Sequence, residues 1–422
     1  MAIAVRPTVR AGASGVPADP TQSHAFTSRP AAEAHIGGVC FKLGPPQLLG
    51  AELEWLTSTA DGARPDVDVL TRALGPHTPT SIDESSPARV LPGGSAVTVE
   101  PGGQLELSSA PYRSARELCD FLEADRAALE SLVGRQGIRL HDDAADADRP
   151  PQRRLESPRY RAMETRFSRL GPFGKAMMCN TAATQISVDA GSDVAAVARR
   201  WELVHAIGPA FVAAFATSPT LAGVPAARWV SQRMRAWFEL DPTRTAPVPA
   251  SLGYARWALD TPLLCLRRDG DDWTCPPDAT FGDWVDGALD DVAGRRPGPA
   301  DLDYHLSTLF PPVRARGHLE IRYVDAQPGR QWRVPIAAVE ALLSGPGVMA
   351  EALDTARSTT GRWLDAAEFG LADLELRSTA TALLSLAASY STDPEFVRLL
   401  DAAAIRCCRG RRPSAADDEE TR

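Results

Sequence analysis

Two glutamates alternate with apolar residues in the segment "AELEWL" at positions 51–56. Side chains of a β-strand point alternately to opposite faces, so this spacing predicts a strand with Glu52 and Glu54 on one face and Leu53 and Trp55 on the other. Carboxylates at this spacing lie roughly 7 Å apart, and their repulsion reaches about 2.4 kcal/mol at an effective dielectric of about 20. Water relieves that repulsion on an open face. A half-buried concave face would need bound cations instead.

Three more segments of the chain repeat this alternation. Their polar positions are Gln104, Glu106 and Ser108 in "GGQLELSS", Gln185, Ser187 and Asp189 in "TQISVDAG", and His318, Glu320 and Arg322 in "GHLEIRYV". An antiparallel sheet with one wet face would account for any one of these segments. Together, however, the polar positions are rich in the oxygen ligands that Mg²⁺ prefers, and arginines such as Arg233, Arg235 and Arg314 could clamp phosphate groups. The spacing alone leaves a solvated sheet and a magnesium–phosphate site both open.

Composition excludes several other classes of protein. The 422 residues carry a formal net charge of −9 and a pI near 5.4, which argues against a nucleic-acid surface because phosphate binding needs a basic face. No apolar stretch approaches the roughly 18 residues of a membrane-spanning helix. Residues 1–30 lack the continuous apolar core of a signal peptide. We therefore expect small-molecule partners, with neither nucleic acid nor membrane.

Cysteine and lysine usage add a further constraint. The seven cysteines form no CxxC pair and are not followed by zinc-spaced histidines. This pattern is typical of a reduced, cytoplasmic protein. Lys42 and Lys175 are the only lysines, so arginine supplies nearly all the positive charge and offers many bidentate binders of carboxylate and phosphate.

Three regions follow one another along the chain. Residues 1–32 are small, polar and proline-rich, and they predict a disordered leader. Residues 409–422 carry many charges and predict a disordered tail. Between them, residues 33–408 predict a single domain in which segments of strand and helix periodicity alternate, with a helical C-terminal part.

Helical patterns mark long stretches between and after the predicted strands. Ser114 is a suitable N-cap with a glutamate three residues on, and Gly137 is a suitable stop, so a helix is expected between them. Residues 192–217 and most of 336–408 also read as helix, rich in Ala, Leu and Arg. Residues 141–154 are expected to form a solvated loop.

Seven ordered segments of the chain form a recognisable set. They are "GAELEWL", "EPGGQLELSSAP", "RYRAMETRFSRLGPFGKAMMCNTAATQISVD", "RMRAWFELDPTRT", "YARWALDTPLL", "TFGDWV" and "HLSTLFPPVRARGHLEIRYVD". The set resembles the plant and actinobacterial type of glutamate–cysteine ligase, in particular the actinobacterial branch that makes γ-glutamylcysteine for ergothioneine biosynthesis. The resemblance spans residues 35–330, and "EPGGQLELS" with "HLEIR" is its most specific pair.

The resemblance implies an α+β fold of the glutamine-synthetase-like class, in which a curved antiparallel β-sheet forms a funnel surrounded by α-helices. It also implies ATP as a co-substrate and two or more Mg²⁺ ions between the strand acids and the ATP phosphates. Glu52, Glu54, Glu106 and Glu320 match the metal-binding acids of the family. Glu320 and Arg322 match its catalytic residues, and Arg322 also matches the arginine at the transferred phosphate of ATP.

The resemblance also suggests residues that bind the substrates. The expected substrate-binding residues are Gln185, Arg235, Arg314, Tyr254 and Trp257. For the two aromatic residues among them, a core position is favoured over a place in the pocket. Glu100 is a further acidic candidate, with a proline directly after it.

The reaction of the family suits these residues. The γ-carboxylate of glutamate attacks the γ-phosphate of ATP to give an acyl phosphate, and the amine of cysteine then displaces phosphate. Because an anionic carboxylate must approach a polyphosphate, Mg²⁺ and arginine are needed to neutralise charge. A carboxylate could accept the proton of the amine. The resemblance thus implies an ADP-forming glutamate–cysteine ligase, and the alternative is a related carboxylate–amine ligase that joins glutamate to a different amine.

Overall fold

Seven strands form one antiparallel sheet in the computed structural model, which describes residues 25–44, 48–248 and 250–420. The strands are β1 (Leu49–Ser58), β2 (Ala96–Val99), β3 (Leu105–Ser108), β4 (Arg139–His141), β5 (Ala183–Asp189), β6 (Val313–Ala315) and β7 (His318–Asp325). Their order across the sheet is β2-β3-β1-β5-β7-β6, and β4 pairs with the end of β1. The four segments predicted as strands from their alternation are β1, β3, β5 and β7, so that prediction is confirmed.

Helices connect and cover these strands. They are α1 (Arg29–Cys40), α2 (Val67–Leu74), α3 (Ala115–Gly134), α4 (Pro158–Leu170), α5 (Phe173–Asn180), α6 (Val194–Ala206), α7 (Gly208–Phe215), α8 (Gln232–Leu240), α9 (Pro242–Thr245), α10 (Tyr254–Asp260), α11 (Phe281–Asp286), α12 (Asp290–Ala293), α13 (Pro299–Leu306), α14 (Arg333–Leu342), α15 (Pro346–Ala356), α16 (Trp363–Phe369), α17 (Leu374–Tyr390), α18 (Pro394–Cys408) and α19 (Asp417–Glu420). Short 3₁₀ segments occur at Gly75–His77, Ser251–Gly253 and Gly370–Ala372.

The two faces of the sheet are covered by different helices. On the apolar face, α3 packs against β1 and β3, and α7 packs against β7. Helix α17 lies behind them and contacts α7, α14 and α18, so this side forms the main hydrophobic core. On the polar face, α5 packs between α4 and α8 and closes a second, smaller core. The polar side chains of the strands therefore point toward a helical cover rather than into open water.

The predicted helices agree with the structure. Ser114 is the N-cap of α3 and its hydroxyl accepts a hydrogen bond from the Glu117 amide, although the helix ends at Gly134 rather than Gly137. The predicted stretch 192–217 contains α6 and α7, and the long C-terminal stretch contains α14 to α18.

The ends of the described chain extend beyond the predicted domain. Helix α1 begins at Arg29, inside the predicted leader. In the predicted tail, the Asp418 carboxylate accepts hydrogen bonds from the Arg330 amide at 2.8 Å and from Gln331 Nε2 at 2.7 Å. These partners lie about 90 residues earlier in the chain, where local composition gives no sign of them. The disorder predicted for residues 1–24 lies outside the described residues, and the domain limits stay a prediction.

The expected solvated loop at 141–154 is partly buried instead. Asp146 is only 6% exposed. Its Oδ2 lies 2.9 Å from Arg64 Nη2 and 2.6 Å from Arg149 Nε, and Arg64 also donates to Asn180 Oδ1 at 2.6 Å. The expectation was wrong for this residue because Arg64, the partner that buries it, lies 82 residues earlier in the chain.

The helices and cysteines give two further observations. Within the described residues, no single helix has the length and apolar character needed to cross a bilayer, and the α14–α15 pair that passes on composition is bent by 114°. All seven cysteines are free thiols, and only Cys408 is fully exposed.

Candidate active site

Strand register brings the polar positions of the sheet onto one face. The directly opposed pairs are Glu54 with Glu106, Glu52 with Gln185, Ser187 with Glu320, and Glu320 with Arg314. Side chains opposite each other on neighbouring strands point the same way. The polar face that was predicted for each strand separately is therefore continuous across β3, β1, β5, β7 and β6.

This face forms the floor of a cleft of about 380 Å³. Its charged and amide side chains are Glu52, Glu54, Glu100, Gln104, Glu106, Gln185, Arg159, Arg233, Arg314, Arg316 and Arg322. Its apolar side is formed by Met163, Met177, Met178, Trp237 and Phe310, from α4, α5, α8 and the segment before β6. Most of the predicted site residues thus come together, beside several that the sequence did not single out.

Burial changes the acidity of the carboxyls in the cleft. Loss of water raises the pKa of Glu52 to about 7, and the charge of Glu320 adds to the effect. Loss of water and the charge of Glu100 raise the pKa of Glu54 to about 7. Burial also raises the pKa of Glu100, and it raises that of Glu106 well above its ordinary value, with Glu52 as the next cause. These groups resist ionising together unless a cation lies among them.

Glu54 and Gln185 are fixed to each other. Glu54 Oε1 accepts a hydrogen bond from Gln185 Nε2 at 2.8 Å, and Oε2 accepts one from the Ala183 amide at 2.9 Å. This leaves Gln185 Oε1 buried and, among the described residues, without a hydrogen-bond partner. A buried amide oxygen beside carboxylates is a suitable ligand for a hard cation.

Glu320 lies between two arginines. Both of its oxygens accept from the Arg314 guanidinium, Oε1 from Nη2 at 3.0 Å, and Oε2 lies 3.1 Å from Arg322 Nη1. Burial acts to raise its pKa, but the two arginines outweigh it and hold the pKa of Glu320 below its ordinary value. In these contacts Glu320 orients Arg314 and Arg322, which differs from the metal-binding and catalytic roles predicted for it.

Two arginines face the ring of Trp237. The guanidinium carbons of Arg322 and Arg233 lie 5.3 Å and 5.7 Å from the ring centroid. Arg233 Nη2 donates to the Arg322 carbonyl at 2.8 Å. Within the described part of the chain, Arg322 Nε makes no hydrogen bond. Arg322 thus keeps a donor for an anionic ligand in the cleft, and Arg233 adds a second positive charge beside it.

A tight turn between β2 and β3 carries Glu100 and Gln104. The Glu100 amide donates a hydrogen bond to the Gln104 carbonyl at 2.9 Å. The Gly103 amide donates to the Glu100 carbonyl, also at 2.9 Å. Gly103 has φ of +87°, a conformation that favours glycine. Gln104 Nε2 then donates to the carbonyls of Met178 at 3.2 Å and Thr181 at 3.0 Å. The turn brings Glu100 to the cleft despite the proline that follows it.

Three predicted substrate-binding residues lie outside the cleft. Arg235, on α8, donates from Nε to Glu239 Oε1 at 3.0 Å and is directed away from the polar face. Tyr254 is fully buried in the main core. Trp257 packs against that core and donates from its indole nitrogen to the Thr243 carbonyl at 2.9 Å. These contacts are those of packing residues.

A larger cavity, of about 970 Å³, lies beyond the C-terminal end of β1. Asp146 and Arg149 line it, but they are paired with each other and with Arg64. These paired charges hold the 141–154 segment against the sheet, which is a structural role. The smaller cleft, with its crowded carboxyls, is therefore the candidate active site.

The donor set of this cleft fits Mg²⁺. The carboxylates and Gln185 Oε1 are hard oxygen ligands, and the raised pKa values of Glu52 and Glu54 mark charges that a cation would relieve. In the positions that the described residues adopt, no three Asp, Glu, His or Cys side chains converge closely enough to hold a metal ion.

Comparison with known proteins identifies the family of this chain. Residues 48–388 match the family described as glutamate-cysteine ligase family 2. The chain belongs to this family. It is 38% identical over 381 residues to the glutamate–cysteine ligase EgtA of Mycolicibacterium smegmatis, covering 86% of this chain and 85% of the relative. It is also 38% identical over 375 residues to EgtA of Mycobacterium tuberculosis, covering 86% of this chain and 84% of the relative.

The fold of this family member also resembles a solved structure. The glutamate–cysteine ligase of Francisella tularensis, in complex with AMP, superposes with a TM-score of 0.54 at 14% identity, covering 90% of this chain and 86% of that one. At that identity the likeness concerns the fold alone. The predicted family and the predicted α+β, glutamine-synthetase-like fold class are confirmed.

Proposed function

We propose that this member of glutamate–cysteine ligase family 2 joins the γ-carboxylate of glutamate to the amine of cysteine, with ATP converted to ADP and phosphate. Family membership and the EgtA relatives support this reaction. The observation that carries the proposal is one cleft in which four glutamates and five arginines meet. We further propose that the γ-glutamylcysteine product serves ergothioneine biosynthesis, as the likeness to the actinobacterial branch implies.

The carboxylate side of the cleft is the proposed metal-binding side. Glu52, Glu54, Glu106 and the amide oxygen of Gln185 would hold Mg²⁺. Bound Mg²⁺ supplies charge neutralisation for the ATP phosphates. Its binding would lower the pKa of these carboxyls and so keep them ionised at neutral pH.

The arginine side of the cleft is the proposed anion-binding side. Arg322, held by Glu320, offers to the transferred phosphate a guanidinium whose Nε has no hydrogen-bond partner among the described residues. Arg314, held by the same carboxylate, and Arg233 add positive charge beside it. Such fixed charges stabilise the approach of the glutamate carboxylate to ATP because they need no rearrangement during the reaction.

The second step requires an uncharged amine. A carboxyl in the cleft whose pKa is raised by burial is a suitable acceptor for the amine proton. Glu100 lines the cleft on the turn before β3, has a pKa raised by burial, and lies beside Arg322 and Arg159. It is therefore one candidate for the base, alongside the carboxylates of β1.

The apolar side of the cleft bears on which amine is accepted. Met163, Met177, Met178, Trp237 and Phe310 form this side. Thioether and aromatic groups favour a short, weakly polar side chain such as the CH₂–SH of cysteine, whereas a charged side chain would lose water there without gaining a partner. The same surface would admit other short apolar amines, so a ligase that joins glutamate to a different amine is the second candidate.

An assay of ADP release distinguishes these candidates. Purified protein with ATP and Mg²⁺ is given glutamate with cysteine, and in parallel glutamate with 2-aminobutyrate, alanine or serine, and the products are identified by mass spectrometry. We expect ADP release only when glutamate, cysteine and Mg²⁺ are all present, with γ-glutamylcysteine as the product. ADP release with another amine but not with cysteine would select the alternative, and no release with any pair would refute both.

Location and partners are proposed on the same basis. The free state of all seven cysteines supports a reducing, cytoplasmic environment. The proposed partners are the small molecules glutamate, cysteine and ATP.

A further inference from the structure

A buried carboxylate, Asp325, lies behind the cleft at the end of β7. It is 2% exposed and is not among the residues that line the cleft. Its Oδ2 accepts hydrogen bonds from the Thr217 amide at 3.0 Å and from Ser218 Oγ at 2.7 Å. Its Oδ1 accepts one from Ser231 Oγ at 2.9 Å. A carboxylate buried this deeply is stable as an anion only with such donors around it.

Arg233 lies on the cleft side of this carboxylate. Arg233 Nη1 is 3.7 Å from Asp325 Oδ1, and Nη2 donates to the Arg322 carbonyl. Burial lowers the pKa of Arg233, and the charge of Asp325 is the largest influence against that shift, followed by Glu54. The guanidinium is therefore placed between one carboxylate behind the cleft and another carboxylate inside it.

The serines that bind Asp325, Ser218 and Ser231, also fix the backbone of Arg233. Ser231 is the N-cap of α8, and its hydroxyl binds Asp325. The Ser218 carbonyl accepts from the Gln232 amide at 2.7 Å, and Ser218 Oγ accepts from the Arg233 amide at 3.1 Å. Three separate segments, namely the end of β7, the start of α8 and the turn after α7, thus meet at Asp325 and position one arginine.

The charge of Asp325 is shared among several donors. At 3.7 Å, and with two hydroxyls and an amide on its oxygens, it does not neutralise Arg233 as a bidentate pair would. We propose that Asp325 is a positioning residue, which holds the Arg233 guanidinium in the wall of the cleft and draws it back from pairing with Glu54, so that it can bind an anionic group of the amino-acid substrate. The inference rests on the proposed function in taking glutamate as that substrate.

Glutamate binding to an Asp325→Asn variant tests the proposal. Asparagine keeps the shape and an acceptor oxygen but removes the charge that orients Arg233. Titration calorimetry with Mg²⁺ and a non-hydrolysable ATP analogue is expected to show L-glutamate bound about tenfold more weakly, a free-energy change of about 1.4 kcal/mol. In steady-state assays, KM for glutamate should rise more than kcat falls, because Asp325 does not touch the reacting atoms. Unchanged affinity in a folded variant would overturn the proposal.

A matched variant separates positioning from stability. Asp301 is also buried and pairs with Arg295 at 2.6 and 2.7 Å, but it does not line the cleft. Asp301→Asn should lower the unfolding temperature and leave glutamate affinity unchanged. If Asp325→Asn behaves in the same way, with a lower unfolding temperature and unaltered affinity, its role is structural and the proposal fails.

A double-mutant cycle tests whether Asp325 acts through Arg233. In an Arg233→Met background, adding Asp325→Asn should change glutamate affinity by less than about twofold, because the group it positions is gone. Additive losses would contradict the proposal. If Asp325→Asn fails to fold, Ser218→Ala serves instead, since it removes the 2.7 Å donor to Asp325 and the acceptor of the Arg233 amide. It should weaken glutamate binding severalfold, and unchanged binding would overturn the inference.

Failure of the proposed function is distinguishable from failure of this inference. A wild-type protein that binds glutamate but forms product only with another amine would refute ligation to cysteine and leave the role of Asp325 intact. A wild-type protein that binds no glutamate would overturn the inference. Product formation with cysteine, together with Asp325→Asn affinity equal to that of the wild type, would refute the inference alone.

Discussion

The carboxyls of the cleft make the stability of the metal-free protein depend on pH. The pKa of Glu52 and of Glu54 rises from 4.5 to about 7 on folding. Between those values the folded state binds protons that the unfolded chain releases, so the free energy of unfolding falls as pH rises. The buried His205 and His305, with pKa lowered from 6.5 to about 4, act in the opposite direction below pH 6.5. The effect of the carboxyls is therefore best isolated by comparing variants.

We expect Glu54→Gln to gain stability relative to the wild type as pH rises from about 5 to about 8. The variant lacks one carboxyl that must ionise in the crowded cleft, and the histidine contributions cancel in the comparison. The difference should grow by an amount of the order of 1 kcal/mol, measured by urea unfolding without Mg²⁺ at both pH values. Saturating Mg²⁺ should stabilise the wild type more than the variant at pH 8. If the difference in the free energy of unfolding did not change with pH, folding would not raise the pKa of Glu54.

Arg322 is expected to be essential for turnover. Removing a fixed charge that stabilises the transferred phosphate costs about 10²-fold or more in kcat, so Arg322→Met should lose activity on that scale while remaining folded. Arg235→Met is the matched comparison, because the Arg235 side chain is 9% exposed, close to the 10% of Arg322, but lies outside the cleft. It should lower the unfolding temperature and leave kcat/KM within about twofold. Equal losses of activity in the two variants would contradict this assignment of the cleft.

The sequence pattern predicts which acids face the cleft, but it does not predict which arginines do. Glu52, Glu54 and Glu106 were predictable because alternate residues of a strand point to the same side. On a helix each residue turns by about 100°, so two positions two apart point in nearly opposite directions. The sequence of α8 does not show whether Arg233 or Arg235 faces the cleft. The contacts of Glu320 depend on the register of β7 with β6, which pattern alone does not determine.

At the scale of elements, the turn between β2 and β3 links two walls of the cleft. It carries Glu100 and Gln104, and Gln104 binds carbonyls at the end of α5. Gly102 lies against that same end, because a Cβ built there would be 2.3 Å from the Cys179 carbonyl oxygen. The β2–β3 turn and α5 can therefore be adjacent only with glycine at this position.

Gly102→Ala is expected to push the turn away from α5. Overpacking of this kind costs about 1–3 kcal/mol, and the shift of Glu100 and Gln104 should lower kcat/KM as well. Chemical unfolding and the ADP assay measure the two effects. The control is Gly134→Ala, at the end of α3, where the described residues place no atom within 4 Å of the added Cβ, apart from the neighbouring backbone of the same helix. The control should be neutral or slightly stabilising, and a Gly102→Ala protein with the same properties would disprove the close approach.

The longer strands were predictable from the alternation of polar and apolar residues. The strands β1, β5 and β7 have 10, 7 and 8 residues, and their alternation is plain. The strands β2, β4 and β6 have four residues or fewer and were not predicted. The strand β3 also has only four residues, but it was predicted because Gln104, Glu106 and Ser108 alternate with leucines. Such short strands exist because neighbouring strands supply their hydrogen bonds, which is information that a local pattern does not contain.

At the scale of the whole molecule, an arginine network ties helices on the apolar side of the sheet together. Arg116 of α3 binds Asp393, the N-cap of α18, at 2.6 and 2.7 Å and Glu395 at 2.6 Å. Arg333 of α14 binds the other oxygen of Glu395 at 2.5 Å. The Glu395 carboxylate thus joins α18 to α3 and α14. Its partners Arg116 and Arg333 lie 279 and 62 residues before it in the sequence.

Glu395→Gln should weaken this helical layer without affecting the cleft. We expect a loss of about 1–2 kcal/mol in the free energy of unfolding, because Arg333 is buried and would lose its charged partner. KM for glutamate should be unchanged. Denaturant unfolding measures the first effect and steady-state kinetics the second. A changed KM with unaltered stability would mean that the layer influences the cleft.

The positive charge of the cleft has a consequence for the fidelity of the reaction. All five cations that line it are arginines, and the two lysines lie outside it: Lys175 Nζ is 2.7 Å from Glu164 Oε1, and Lys42 lines a neighbouring cavity. An acyl phosphate acylates any neutral amine within reach, and a lysine loses its proton far more readily than a guanidinium does. A cleft whose cations are arginines can neutralise phosphate without offering the activated glutamate a side chain to acylate. In the proposed reaction, the amine of the second substrate therefore meets no competing amine among the cations that neutralise the phosphate.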